Sequence, residues 1–361
     1  MPNSAKNGLA KGSISLNNIQ NLKKITPVVF NVPKKFYEIF QEDDLVEIIT
    51  DLKFKRQIKL KYNYFADGAL GWNDFYFESP ITQKINSLKN LILDNLLYFV
   101  QNNQLVNIVD IGPGNGYPVK DWLQKLNDLK ILNSYICVDI SQEINNLVEK
   151  NMHEWFPTMP VYKYQADIEQ TDIAKYLIKS KLNENVEPNR ISNIVLLLGN
   201  TFCNFIDRVE VLKNLTRSMD VNDLLVISYT NDIDINKVVH NYIASKVAHR
   251  HVGWIAKMLG FDYGDKYLTT TYDSQLNARV KNLNLTKDYL LRFKLFDRDI
   301  EINFSKGESI NLWRHYLISE ELLRKDFEEV GLELVFKQYD LQKSIAIVAC
   351  RLKDLYNQRA A

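Results

Sequence analysis

Asp110-Ile-Gly-Pro-Gly-Asn-Gly116 decides how the chain is read. It closes a short apolar run, Leu105–Ile111, and leads into a helical pattern from Tyr117, with Pro118 in the first turn, where a missing N–H costs nothing. A strand that turns at Gly112, Gly114 and Gly116 can take positive φ and admit a ligand with no Cβ in the way. A dinucleotide loop, G-x-G-x-x-G, would need its third glycine or alanine at 117, where Tyr117 stands. The Gly-Lys-Ser/Thr ending of a P-loop is absent as well. The spacing therefore suits a ligand without a pyrophosphate, lying across strand ends.

On either side of this turn, strands alternate with helices. After 105–111, strands are predicted at 134–139, 160–164, 191–198 and 224–229, and the fourth is apolar enough to be buried on both faces. That alternation implies a parallel sheet covered on both sides. Residues 332–339 and 345–351 lie close enough to end the sheet in an antiparallel hairpin. Roughly a hundred residues, 231–328, separate the fifth strand from this hairpin, too many for one crossover. Upstream, 34–60 carries helical periodicity and 81–101 a further helix, while 61–78 is ring-rich and broken by Gly68 and Gly71, and reads as a packed loop or a substrate wall.

Two more acids follow in the order the ligand requires. Asp139 ends the second strand, where a carboxylate accepts both hydroxyls of a ribose, and Asp167 follows the third, placed for an adenine amino group. Acids at three successive strand ends, on the edge where open α/β sheets bind ligands, point to an adenosyl group. Seven strands closed by a hairpin is the arrangement of the S-adenosylmethionine (SAM) methyltransferase fold. The expected architecture is that α/β sheet plus a second, α+β substrate domain. Its expected bounds are 31–78 with 232–315 for the substrate domain and 79–231 with 316–352 for the SAM domain, with tails at 1–30 and 353–361.

Leu198-Gly-Asn-Thr-Phe-Cys-Asn-Phe205 resembles the Gly-Ser-Thr-Ile-Gly-Asn-Phe segment of the histidine-specific SAM-dependent methyltransferases, whose members trimethylate the α-amino group of histidine in ergothioneine biosynthesis. Tyr64-Phe-Ala-Asp-Gly68 looks like that family's Phe-Tyr-Asp-x-x-Gly, and Tyr135-Ile-Cys-Val-Asp-Ile-Ser141 is similar to its Tyr-x-Pro-x-Asp-x-Ser strand. Gly307-Glu-Ser-Ile310 matches its Gly-Glu-x-Ile turn. By this resemblance Asp139, Ser141, Asp167 and Ile168 hold the adenosyl group, with Gly199 and Asn200 beside the cofactor. Asn204 grips the substrate's amino and carboxylate groups, Tyr242 contacts its carboxylate, and Tyr64 and Tyr76 belong to the aromatic wall.

The chain departs from the family at the acceptor. The Glu and Ser that bind imidazole fall at Trp313 and His315, and the imidazole-facing tyrosine falls at Phe65. A pocket that hydrogen-bonds imidazole rejects analogues strongly, so losing those partners points away from free histidine. His315 becomes the candidate base or orienting group. The expected reaction is N-methylation of an amino acid or an amino-acid-derived or peptide natural product. O-methylation of a carboxyl or hydroxyl, and an inert SAM-binding protein, are the alternatives.

The bulk numbers agree with a metabolic enzyme. A net charge of +1 gives no pull toward nucleic acid or anionic membrane. No apolar run is long enough to span a bilayer. The 19 Tyr, 17 Phe and 5 Trp exceed what a core demands and suit a ring-lined pocket. Cys137, Cys203 and Cys350 are scattered, read as small buried hydrophobes in a reducing cytoplasm, and form no metal-binding spacing. A small-molecule or peptide partner is expected, with a monomeric or homodimeric enzyme and no metal.

Overall fold

The computed structural model describes residues 26–78, 104–171, 173, 176, 190–199, 201–231, 252–340, 343 and 345–353. In chain order the N-terminal segment gives β1 (Val28–Asn31), α1 (Lys34–Ile39), α2 (Glu42–Thr50), a π turn (Asp51–Lys55), a 3-10 turn (Leu60–Tyr64) and α3 (Asp67–Glu78). Next come β2 (Leu105–Ile111), α4 (Lys120–Asp128), β3 (Leu132–Asp139), α5 (Gln142–Trp155), β4 (Val161–Gln165), β5 (Ile191–Leu197), a 3-10 turn (Thr201–Asn204), α6 (Arg208–Thr216) and β6 (Leu224–Thr230). The C-terminal part holds α7 (Trp254–Met258), β7 (Leu268–Asp273), β8 (Ala278–Asn284), β9 (Tyr289–Leu295), β10 (Arg298–Phe304), β11 (Ser309–Tyr316), α8 (Glu320–Glu329), β12 (Leu332–Tyr339) and β13 (Ile345–Leu352). The helix read over 81–101 lies outside the described residues.

Seven strands form one sheet in the order β12-β13-β6-β5-β2-β3-β4. β2 through β6 pair in parallel, and β13 runs antiparallel to both β6 and β12. This is the SAM-methyltransferase fold, hairpin included. β5 and β6 are buried at every position, as strands covered on both faces must be. Polar groups inside this sheet pair with one another. The Asn107 amide donates to Asn193 at 3.0 Å and its oxygen accepts from Ser134 at 2.8 Å, while Asp223 takes the Asn193 backbone N–H at 2.7 Å. Each would be costly if left unpaired, so the network holds β2, β3 and β5 in one register. The strand order reverses between β2 and β5, and the cleft opens beyond their C-terminal ends.

Two three-stranded sheets, β1-β9-β10 and β11-β8-β7, make up the rest. Their apolar side chains share one core with the N-terminal segment, running from Val32 to Phe65 and from Val252 to Trp313. The long stretch before the hairpin therefore holds five strands, β7 to β11, among its described residues. β1 begins within the stretch read as a tail, where Val28–Asn31 pairs in parallel with β9.

Two local expectations change. The helical pattern over 34–60 divides at Phe40, whose extended backbone turns its ring onto Tyr62 and Phe65, with centroids 5.6 and 5.3 Å away. Residues 61–78 are a turn and a helix, not a loop. A Cβ on Gly68 would lie 2.1 Å from the Asn63 carbonyl oxygen, so this glycine lets turn and helix close on each other. Trp72, Phe75 and Tyr76 then share one helical face, spaced i, i+3, i+4.

Candidate active site

Gly112, Gly114 and Gly116 take φ of 63°, 61° and 76°, the left-handed region their sequence implied. They serve different neighbours. A Cβ on Gly114 would strike the Trp72 indole at 2.0 Å, and one on Gly116 would strike Met152 at 2.6 Å. These two make room for protein packing against α3 and α5. A Cβ on Gly112 would meet only Thr201, at 3.4 Å, and one on Gly199 would meet nothing within 4 Å. Those two leave open the space beside them.

That space is a cavity of about 250 Å3. Asp110, Gly112, Gly114, Asp139, Asp167, Ile168, Gly199, Tyr64, Tyr76, Asn204 and Trp313 all line it, so the structure brings these predicted residues together. The half-buried Asp139 carboxylate accepts the Ser141 N–H at 2.8 Å through Oδ1. The Ile140 backbone N–H also stabilises its charged form. Burial pushes the carboxyl up to about 7; the Ser141 N–H opposes the shift and the nearby Asp110 charge adds to it. A carboxylate on the cavity wall fits a vicinal diol, as the adenosyl ribose supplies. Asp110 lies deeper, with Oδ2 accepting from the Tyr135 hydroxyl at 2.7 Å. Asp167 is held from two sides, by the Lys61 ammonium at 2.8 Å and the Glu169 N–H at 3.0 Å. Lys61 also reaches Glu47 on α2, tying the N-terminal segment to the loop after β4.

A β-bulge between Asn311 and Trp313 redirects β11. The Trp313 indole N–H donates to Asn204 Oδ1 at 3.0 Å, which fixes the orientation of that amide. His315 sits behind it, Nδ1 3.4 Å from the same oxygen and Nε2 2.9 Å from the Thr230 hydroxyl. Both contacts are satisfied when Nδ1 carries the proton and Nε2 accepts. Burial, with repulsion from Arg279, holds the imidazole well below its usual range, so it stays neutral. With its oxygen held from behind, Asn204 has its NH2 as the group left to face the cavity.

Four expected contacts lie behind the wall instead of on it. Gly116 packs on α5. Ser141 is fully buried as the N-cap of α5, its Oγ accepting from the Ile144 N–H, and reaches the cavity only through Asp139. Phe65 is buried among Phe40 and Tyr62 in the second core. His315, with both ring nitrogens engaged, bears on the cavity only through Asn204. Asn200 and Tyr242 lie outside the described residues. Trp72 and Phe75 of the ring-rich stretch read as a possible substrate wall also line the cavity, and the sequence reading missed Lys61 and Arg314 there. The i, i+3, i+4 spacing of Trp72, Phe75 and Tyr76 could have revealed the first ring pair, whereas nothing local marks Lys61 or Arg314.

The sheet topology and the glycine turn are those of a SAM-dependent methyltransferase. Residues 86–352 match the family described as histidine-specific, SAM-dependent methyltransferases, and the chain belongs to it. No protein of curated function matches the sequence. Among solved structures, a SAM-dependent methyltransferase from Clostridium acetobutylicum aligns over 86% of this chain and 98% of its own, with 13% identity and a TM-score of 0.38. Magnesium protoporphyrin IX methyltransferase from Synechocystis, with bound SAH, aligns over 81% and 98%, with 11% identity and a TM-score of 0.45. Among the described residues no helix is long and apolar enough to cross a membrane.

Proposed function

We propose that the enzyme methylates a nitrogen of an amino acid, or of an amino-acid-derived or peptide natural product, other than free histidine. In this reading the second, mixed α and β part of the chain serves as the substrate domain, and the work is done in a reducing cytoplasm, where three buried free thiols are at home. The observation that carries the reading is the fate of the two imidazole-binding positions. Trp313 commits its N–H to Asn204, and His315 commits both ring nitrogens to Asn204 and Thr230. Neither is left to hydrogen-bond an imidazole, and a site without those partners loses most of its discrimination for that ring.

SAM, when bound, supplies a methyl group on a sulfonium whose departing thioether needs no proton. The protein's tasks are then to position and to exclude water. Asp139 would hold the ribose hydroxyls, with Ser141 orienting it. Asn204 would turn its NH2 to the acceptor's carboxylate, kept in that pose by Trp313 and His315. Tyr64, Trp72, Tyr76 and Trp313 wall the acceptor in rings, and such walls disfavour an ammonium over the free amine. Among the described residues no histidine lines the cavity, which favours an amine deprotonated by desolvation over a hydroxyl that needs a base.

Incubation of the purified protein with methyl-labelled SAM and a metabolite extract tests this. The expected product is a base-stable N-methyl compound distinct from methylated histidine. A base-labile ester, or label in histidine, would overturn the reading.

A further inference from the structure

Arg314 follows Trp313 in β11 and lines the same cavity. The other cations on this wall are already paired. Lys59 meets Glu47 at 2.6 Å, and Lys61 meets Glu47 and Asp167 at 2.9 and 2.8 Å. Among the described residues no carboxylate lies within ion-pair distance of Arg314, and its Nε is buried with no hydrogen-bond partner. A guanidinium cannot shed its charge, so a half-buried one with an unsatisfied N–H is held at a cost until an anion arrives.

The position of Arg314 separates it from the group expected at Asn204. Trp313 and His315 stand opposite Lys281 and Arg279 and bond to Asn204, whereas Arg314 stands opposite Val280, on the alternate face of the strand. Gln57 and Asn311, which also line the cavity, bridge β11 to the N-terminal segment. A ligand gripped by Asn204 and extending along Trp313 would bring its far end to this guanidinium.

We propose that the acceptor carries a carboxylate, separate from its reacting nitrogen and from the head group at Asn204, that pairs with Arg314. The inference rests on the acceptor reading above. A carboxylate fits better than a phosphate. One unpaired guanidinium matches one carboxylate in a two-pronged pair, while a phosphate dianion would leave a second charge among rings. The acceptor class is thus an apolar or aromatic-bodied acid.

The test uses the SAH-loaded full chain and two simple probes, 3-phenylpropionate and 3-phenylpropanol, followed by tryptophan emission. The acid should bind roughly tenfold or more tighter than the alcohol, as expected for a hydrogen-bonded charge. Arg314→Gln should bring the acid down to the alcohol's level and leave SAH affinity within about threefold, and Arg314→Lys should keep part of the preference. Equal binding of the two probes, no binding of the acid, or an unchanged preference in Arg314→Gln would overturn the proposal. So would a tenfold loss of SAH affinity in Arg314→Gln, which would assign the guanidinium to the cofactor. Failure of the N-methylation reading would be seen elsewhere, in the labelled product of the unaltered enzyme, and leaves the probe comparison readable.

Discussion

The part of the cavity proposed for the cofactor and the part proposed for the acceptor are assembled in opposite ways. The first takes Asp110, Asp139 and Asp167 from the ends of adjacent strands β2, β3 and β4, so each group stands where its own strand stops. The second gathers residues 57–76, Asn204 and residues 311–314 from parts of the chain far apart in sequence, several of which, such as Phe65 and Trp313, belong to the core shared by the two small sheets and the N-terminal segment. The family match begins at residue 86, so it spans the whole first wall but leaves out Lys61, Tyr64, Trp72, Phe75 and Tyr76 of the second. A wall built from strand ends takes its groups from consecutive stretches of chain, although Lys61 holds Asp167 from across the cavity. A wall built by long-range packing can exchange an imidazole-binding pair for Trp313 and His315 without disturbing the other side.

The sharpest way to break the comparison is at Asp139. Asp139→Ala should lower SAM affinity about 100-fold or more, because hydrogen bonds to a charged group contribute about 1.5–3 kcal/mol each and two hydroxyls are lost. Retained micromolar affinity by calorimetry would remove Asp139 from the site. The same carboxyl predicts a pH dependence. Its pKa of about 7 without ligand should fall when hydroxyls donate to the ionised form, so binding favours the carboxylate. SAM affinity should therefore be flat above pH 7 and decline below it, by up to about tenfold per pH unit. An affinity independent of pH between 5 and 8 would contradict this.

Trp313→Ala probes the other wall and should weaken acceptor binding roughly tenfold or more while SAM affinity stays within about threefold, since the lost N–H frees the Asn204 amide to rotate. Loss of cooperative unfolding in that variant would instead make Trp313 a core residue. The smallest effect is expected at the tie between the walls. Burial would raise the Glu47 carboxyl, but donors Lys59, Tyr62 and Lys61 outweigh it and hold it at about 2. Its stabilising contribution is thus present above its ordinary value of 4.5 and is lost as pH falls from there toward 2. Lys61→Met should cost about 1–2 kcal/mol at pH 7, less than breaking a fully buried pair, because both carboxylates keep other donors. The acid limb of its unfolding profile should also move to higher pH, and an unchanged limb would show that Lys61 does not stabilise Glu47.

What the sequence revealed follows the same division. The glycine turn and the acids at or just past the ends of β2, β3 and β4 were legible because strand, turn and cavity lining are consecutive in the chain. The C-terminal hairpin was legible from two apolar runs a few residues apart. Residues 61–78 were misread because Gly68 looks like a break, although it is the close approach of Asn63 that requires it. His315 was expected within reach of a ligand because alignment gives position and not depth, and only the bond to Thr230 reveals that it stands behind Asn204. Lys61 and Arg314 left no local trace, since their meaning depends on which charges fold up beside them.

The central claim is a SAM site intact beside an acceptor site that has given up imidazole. Calorimetric titration of SAH into the protein, followed by histidine into the SAH-loaded protein, tests it most directly. Micromolar binding of SAH with no saturable heat from histidine is the result the account predicts. Saturable histidine binding, or trimethylated histidine on incubation with SAM, would contradict it.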